Sequence, residues 1–215
     1  MHKVKIFRLF FLLTTCFFMI SASLKAQGER DLPKTKSYKI LFVGNSLTHS
    51  NNLPFLVEQA ASKEQIIVST EIIAKPNYAL ADHWGDGTLQ KRIRSKAFDF
   101  VVVQQGPSSQ AEGRKLLFEA VKKLTRICEK NQSQLAVFMV WPSQQYYHTF
   151  DNVIKNHHDV AEKYNAVLCP VGEVLKAHFD KTQDFSFYGP DGFHPSVKGT
   201  KIAAKIIFES LLQND

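Results

Sequence analysis

Tyr38-Lys39-Ile40-Leu41-Phe42-Val43-Gly44-Asn45-Ser46-Leu47-Thr48 is the stretch that decides the fold. Its first six residues form an apolar run with little polar alternation, the pattern of a strand buried on both faces. Gly44 offers a tight exit from that strand because it lacks a Cβ. Asn45, Ser46 and Thr48 stand where a helix would begin, and residues 53–63 carry a helical pattern. A strand, a glycine turn and a helix make the opening unit of a parallel α/β sheet.

The alternation continues downstream. Residues 66–73 are rich in β-branched side chains, and residues 98–103, 135–140 and 166–171 read as three further strands. Between the third and fourth strands, Leu116, Leu117, Ala120, Val121, Leu124, Ile127 and Cys128 form the stripe of a helix with one buried face, while Lys115, Lys122 and Lys123 fall outside it. Residues 197–212 repeat that pattern through Ala203, Ile206, Ile207 and Leu211. The expected fold is one three-layer α/β/α domain around a five-stranded parallel sheet. In open sheets of this kind ligands bind beyond the carboxyl ends of the strands. That places the candidate loops at 44–52, 74–84, 104–110, 141–148 and 185–196.

Working outward to the amino terminus, residues 1–8 carry Lys3, Lys5 and Arg8 with no acid. Residues 9–20 are almost wholly apolar, and small residues follow at 21–26. This is the pattern of a secretory signal peptide, with cleavage expected after Ala26. The apolar run is short of the roughly 20 residues of a membrane span. Cys16 sits in a poor match to a lipoprotein box. Residues 27–37 read as a polar linker and residues 38–215 as the domain. The expected location is periplasmic or extracellular.

Loss of Lys3, Lys5, Arg8 and Lys25 takes the formal charge from +7 to +3, which removes most of the case for a nucleic-acid or membrane-surface partner. The remaining chain of about 190 residues can bury a sizeable core. Only Cys128 and Cys169 remain, too few for a disulfide framework; both sit in apolar stretches and are expected as buried free thiols.

Two loops carry chemistry. Ser46 lies directly after the first strand, where backbone N–H groups and a helix dipole would favour developing negative charge. A serine hydroxyl needs an adjacent base and an oxyanion site to act as a nucleophile. Asn45, Ser46 or Thr48 could equally be there as a helix cap. The second loop is Tyr188-Gly189-Pro190-Asp191-Gly192-Phe193-His194-Pro195-Ser196, an irregular turn fixed by its glycines and prolines. Its Asp191 could accept the Nδ1 hydrogen of His194, leaving Nε2 to face a hydroxyl.

Together the loops resemble the SGNH (GDSL-like) hydrolase superfamily, which pairs a G-[DN]-S-[LI]-[TS] motif after strand one with a D-x-x-H-[PL] loop near the carboxyl terminus. The matching residues are Gly44 to Thr48 and Asp191 to Pro195. The resemblance implies a flavodoxin-like fold, with Ser46, Asp191 and His194 as nucleophile, supporting acid and base. The middle blocks depart from the pattern. Where the family commonly has an oxyanion-binding glycine after strand two, this sequence has Asn77, which keeps the N–H and tolerates positive φ. Where it has an asparagine after strand three, this sequence offers Gln105 as first choice, then Gln104, then Ser108.

No H-E-x-x-H, paired-cysteine or calcium-loop pattern occurs, so neither metal nor cofactor is expected. Trp84, Trp141 and Tyr146, with His49, His83 and Tyr147, fall in loops at the site end, and the first three are the candidate substrate contacts. The resemblance implies an esterase working through an acyl-enzyme, with a short acyl group on a carbohydrate as the expected substrate. The alternatives are a lipase or thioesterase taking longer acyl chains, and an inactive glycan-binding module on the same fold.

Overall fold

The computed structural model describes residues 36–213. The expected signal peptide and most of the expected linker lie outside the described residues. Five strands, β1 (Ser37–Gly44), β2 (Ile67–Ala74), β3 (Phe100–Val103), β4 (Gln134–Phe138) and β5 (Val167–Cys169), form one sheet in the order β2-β1-β3-β4-β5. Every pairing is parallel, with Ile40 opposite Phe100 and Val101 opposite Leu135.

The run at 40–43 is apolar throughout because both faces are covered, and all four residues are fully buried. Ile40 and Phe42 join one core cluster with α2 (Leu53–Lys63) and α8 (Val197–Leu212). Leu41 and Val43 point the other way, into a second cluster with α5 (Ala111–Lys130). The result is the expected three layers. The helix stripe from Leu117 to Cys128 is buried as read, with Leu116 half-buried at its edge. Cys128 and Cys169 are free and buried, and burial pushes both thiols up to about 12.

Several boundaries differ from the sequence reading. The third strand starts at Phe100; Asp99 just before it donates its N–H to the Lys39 carbonyl at 2.9 Å, accepts from the Gln134 N–H at 2.8 Å, and turns its carboxylate to the Lys39 N–H at 2.7 Å. Strand β5 stops at Cys169: Pro170 cannot donate to a ladder, and Val171 opens helix α7 (Val171–Thr182) instead. The segment after β2 holds two short helices: α3 (Leu80–Gly85), where residues 74–84 read as loop, and α4 (Thr88–Ser95), in a stretch to which the sequence assigned no element.

The connection from β1 leads outward to β2, and the next strand returns to the opposite side of β1. This change of direction leaves a crevice at the carboxyl ends of β1 and β3. Ser46 follows β1 there, and the glutamines 104 and 105 follow β3.

Candidate active site

Ser46 is the first residue of α1 (Ser46–His49), a single turn. Asn45 is the residue that caps it, its Oδ1 accepting from the Leu47 N–H at 3.1 Å. The cap role therefore belongs to Asn45 and leaves the Ser46 hydroxyl free for other partners. Around them the elbow is pinned on several sides. The Asn45 N–H donates to Gln104 Oε1 at 3.0 Å, Thr48 Oγ1 donates to the same oxygen at 2.9 Å, and Asn45 Nδ2 donates to the Tyr78 carbonyl at 3.2 Å. Fully buried His83 donates from Nε2 to the Gly44 carbonyl at 2.7 Å. Gly44 is required for space: a Cβ there would press on Thr48 Oγ1 and Gln104 Oε1. The helix dipole invoked above is weak, because Asn51 and Asn52 take φ of 51° and 56° and break the helix after one turn. Stabilisation of an anion here must come from individual N–H groups.

The base loop is equally anchored. Gly192 adopts φ 66°, a conformation suited to glycine. The Trp141 indole donates to the Phe193 carbonyl at 3.0 Å, the Gln144 N–H to the Gly192 carbonyl at 2.8 Å, and the buried Tyr188 hydroxyl to the Pro142 carbonyl at 2.8 Å. Within this frame Asp191 Oδ1 accepts from the Phe193 and His194 N–H groups at 3.0 and 2.9 Å, and Oδ2 lies 2.6 Å from His194 Nδ1. The His194 bond, helped by the Phe193 N–H, holds the Asp191 carboxyl down to about 2. An ionised carboxylate only accepts, so Nδ1 carries the proton and Nε2 is left as an acceptor. Ser46 Oγ lies 2.9 Å from that Nε2, a contact across 148 residues of chain. A hydroxyl, a neutral imidazole and a buttressing carboxylate in this order can pass a proton from Ser46 to His194.

The candidates for the oxyanion side separate. Asn77 occupies a turn in which the Tyr78 N–H donates to the Lys75 carbonyl at 3.2 Å, with Pro76 second and Asn77 third at φ 62°. This is the arrangement in which asparagine substitutes for glycine. Gln104 is 1% exposed, its Oε1 accepting from Asn45 and Thr48 and its Nε2 giving one hydrogen to the Gln105 carbonyl at 2.8 Å, which makes it a strut beneath the nucleophile. Gln105 uses Oε1 to accept from the Leu80 N–H at 2.9 Å, which leaves Nε2 as its donor. Ser108 gives its hydroxyl hydrogen to the Gly106 carbonyl at 2.8 Å, which occupies its one side-chain donor.

Of the three aromatic candidates, Trp141 is corrected. Trp141 is 1% exposed and inside the first core cluster, so it supports the base loop from within the core and offers no surface to a ligand. Trp84 packs on the second core cluster, with Lys123 Nζ 5.8 Å from its ring centre. Tyr146 is 55% exposed and borders a cavity of about 590 Å³, together with Pro107, Ser108, Pro142, Thr149 and Phe193. Phe193, which no motif picked out, lines that cavity, and its ring centre lies 5.2 Å from that of His194.

No protein-family model matches the sequence, and no curated protein matches it. Solved structures do. A candidate SGNH hydrolase from Slackia heliotrinireducens superposes with a TM-score of 0.71 at 23% identity, over 81% of this chain and 99% of that one. A variant of an acetyl xylan esterase from Geobacillus stearothermophilus gives 0.65 at 13%, over 84% and 97%. A lipase/acylhydrolase from Enterococcus faecalis gives 0.66 at 15%, over 82% and 96%. The fold is that of the SGNH/GDSL hydrolases. The structures it resembles include esterases and acylhydrolases.

Proposed function

We propose that this chain is a serine esterase that works through an acyl-enzyme. The observation that carries the reading is the relay from Ser46 Oγ to His194 Nε2 at 2.9 Å and from His194 Nδ1 to Asp191 at 2.6 Å. Ser46 Oγ attacks the ester carbonyl as Nε2 takes its proton. The oxyanion is held by the N–H groups of Ser46 and Asn77 and by Gln105 Nε2. Collapse breaks the bond to the alcohol, which leaves with the proton returned by His194. His194 then deprotonates water, which attacks the acyl carbon; collapse breaks the bond to Ser46 Oγ, which takes back the proton from His194 as the carboxylic acid leaves.

A short acyl group on a carbohydrate is the favoured substrate. The imidazole and carboxylate side chains are 41% and 52% exposed, so a bulky glycan can approach them. The cavity beside Phe193 offers the exposed ring of Tyr146, a surface on which a sugar can lie. A second reading, a longer acyl chain, is favoured by the same cavity's volume of about 590 Å³ and by its Pro107, Pro142 and Phe193 walls. A series of nitrophenyl esters separates them: rates that peak at acetate support the first, and rates that climb beyond butyrate support the second. No hydrolysis of any ester, with Ser46→Ala indistinguishable from the parent, would reduce the chain to a glycan-binding module. Among the described residues no helix is long and apolar enough to cross a membrane, and the charge and apolar pattern of residues 1–26 supports export to the periplasm or beyond.

A further inference from the structure

We infer that Asn51 is a positioning residue that ties the nucleophile segment to the base loop and sets the distance between Ser46 and His194. The inference rests on the esterase reading of that pair. Asn51 Nδ2 donates to the Pro195 carbonyl at 3.0 Å and to Thr200 Oγ1 at 2.8 Å. Pro195 is the residue after His194, and Asn51 lies five residues after Ser46. Thr200 is almost fully buried in the first turn of α8, and its hydroxyl proton is already given to the Ser196 carbonyl at 3.1 Å. Its lone pair therefore faces the Asn51 amide, and both acceptors fix which end of that amide points across.

The backbone is bent to make this bond. Asn51 and Asn52 stand side by side in the left-handed region, at φ 51° and 56°. Asparagine is among the few residues that tolerate that conformation, and it persists only where surrounding contacts hold it. A helix running unbroken from Ser46 into α2 would carry position 51 on a different course. The other anchors of the base loop, Trp141 and Gln144, come from the loop after β4. Among the described residues, Asn51 supplies the side-chain bonds that reach the base loop from the nucleophile's own segment, apart from the Ser46–His194 contact itself. Errors of about 1 Å in such geometry cost on the order of 100-fold in rate.

The test is Asn51→Gly, which permits the left-handed backbone and removes the amide together with its Cβ. With nitrophenyl acetate, kcat per titrated active site is expected to fall about 10- to 100-fold with KM within about threefold, and phosphonylation of Ser46 by a fluorophosphonate to slow by the same factor. Thr200→Val, which leaves the Pro195 bond, is expected to lose roughly two- to fivefold. A kcat per titrated site within twofold of the parent for Asn51→Gly, whatever its melting temperature, would overturn the inference and leave the esterase reading standing. Turnover surviving in Ser46→Ala, run in parallel, would overturn both.

Discussion

On one side of Ser46, the base loop is gripped from outside: an indole from the end of β4, a backbone N–H from the following loop and an amide from position 51 all close on its carbonyls. On the other side, the 75–78 turn and the end of β3 hold largely to the nucleophile elbow and to α3, through the Asn45 amide, Gln104 and Gln105. The proton relay thus sits in a frame braced by distant chain segments. The proposed oxyanion side is assembled from its immediate neighbours, and the proposal gives the donor role to the one of two adjacent glutamines whose amide nitrogen has no protein partner.

The largest effect expected from breaking that contrast comes from the two glutamines. Gln105→Ala should lower kcat by about 100- to 1,000-fold, the loss typical of one oxyanion donor, at the stability cost of one stranded N–H, that of Leu80, roughly 1 kcal/mol. Gln104→Ala should instead strip the Asn45 N–H and Thr48 hydroxyl of their acceptor and cost roughly 1–3 kcal/mol of stability, measured by urea unfolding. Equal kinetic and stability losses in both variants would erase the distinction between donor and strut.

A second effect is on pH dependence. The outer wall of the β3 loop is braced by α6 (Phe150–Lys163), where Asn156 Nδ2 donates to the Ser108 carbonyl at 2.8 Å and Asn156 Oδ1 accepts from Arg114 at 2.6 Å. The next residue, His157, is fully buried with Nε2 unpaired, and burial pulls its imidazole down to about 4. The unfolded chain takes up this proton near the ordinary value of 6.5, whereas the folded chain resists it until about 4. Stability is therefore lost as pH falls through that window, by about 3 kcal/mol for this group. His157→Leu should flatten the decline of melting temperature between pH 6.5 and 4. An unchanged slope would show that His157 is not its source.

Smaller effects are expected at the aromatic positions. Trp141→Phe removes the donor to the Phe193 carbonyl while keeping most of the packing, and should lower kcat about tenfold at a stability cost of about 1–2 kcal/mol. Tyr146→Ala should raise KM for a carbohydrate ester by roughly two- to fivefold with kcat nearly unchanged, the signature of lost uniform binding. A kcat effect at Tyr146 larger than at Trp141 would reverse their assigned roles.

The parts that were legible in the sequence are those whose cause is local. The apolar run 40–43 announces a strand covered on both faces, and Asp191 and His194 sit close enough in sequence for one loop to hold both. Trp141 was misread because its position after a strand says loop, whereas its ring turns inward and its indole serves the base loop from the core. Gln104 and Gln105 could not be told apart because successive residues leave a strand on opposite faces; which face meets Asn45 and which meets Leu80 depends on β1 and α3 together. Asn51 left no signal at all, since its acceptors lie more than a hundred residues away. Helices α3 and α4 were missed because they are short and α4 is mostly polar.

The central claim is that Ser46 is the residue activated by His194. Mass spectrometry of the chain after reaction with a fluorophosphonate tests it most directly. The account predicts one stoichiometric adduct on the Ser46-containing peptide, absent in Ser46→Ala and slowed by orders of magnitude in His194→Ala. An adduct on another residue, or a label that survives Ser46→Ala, would contradict it.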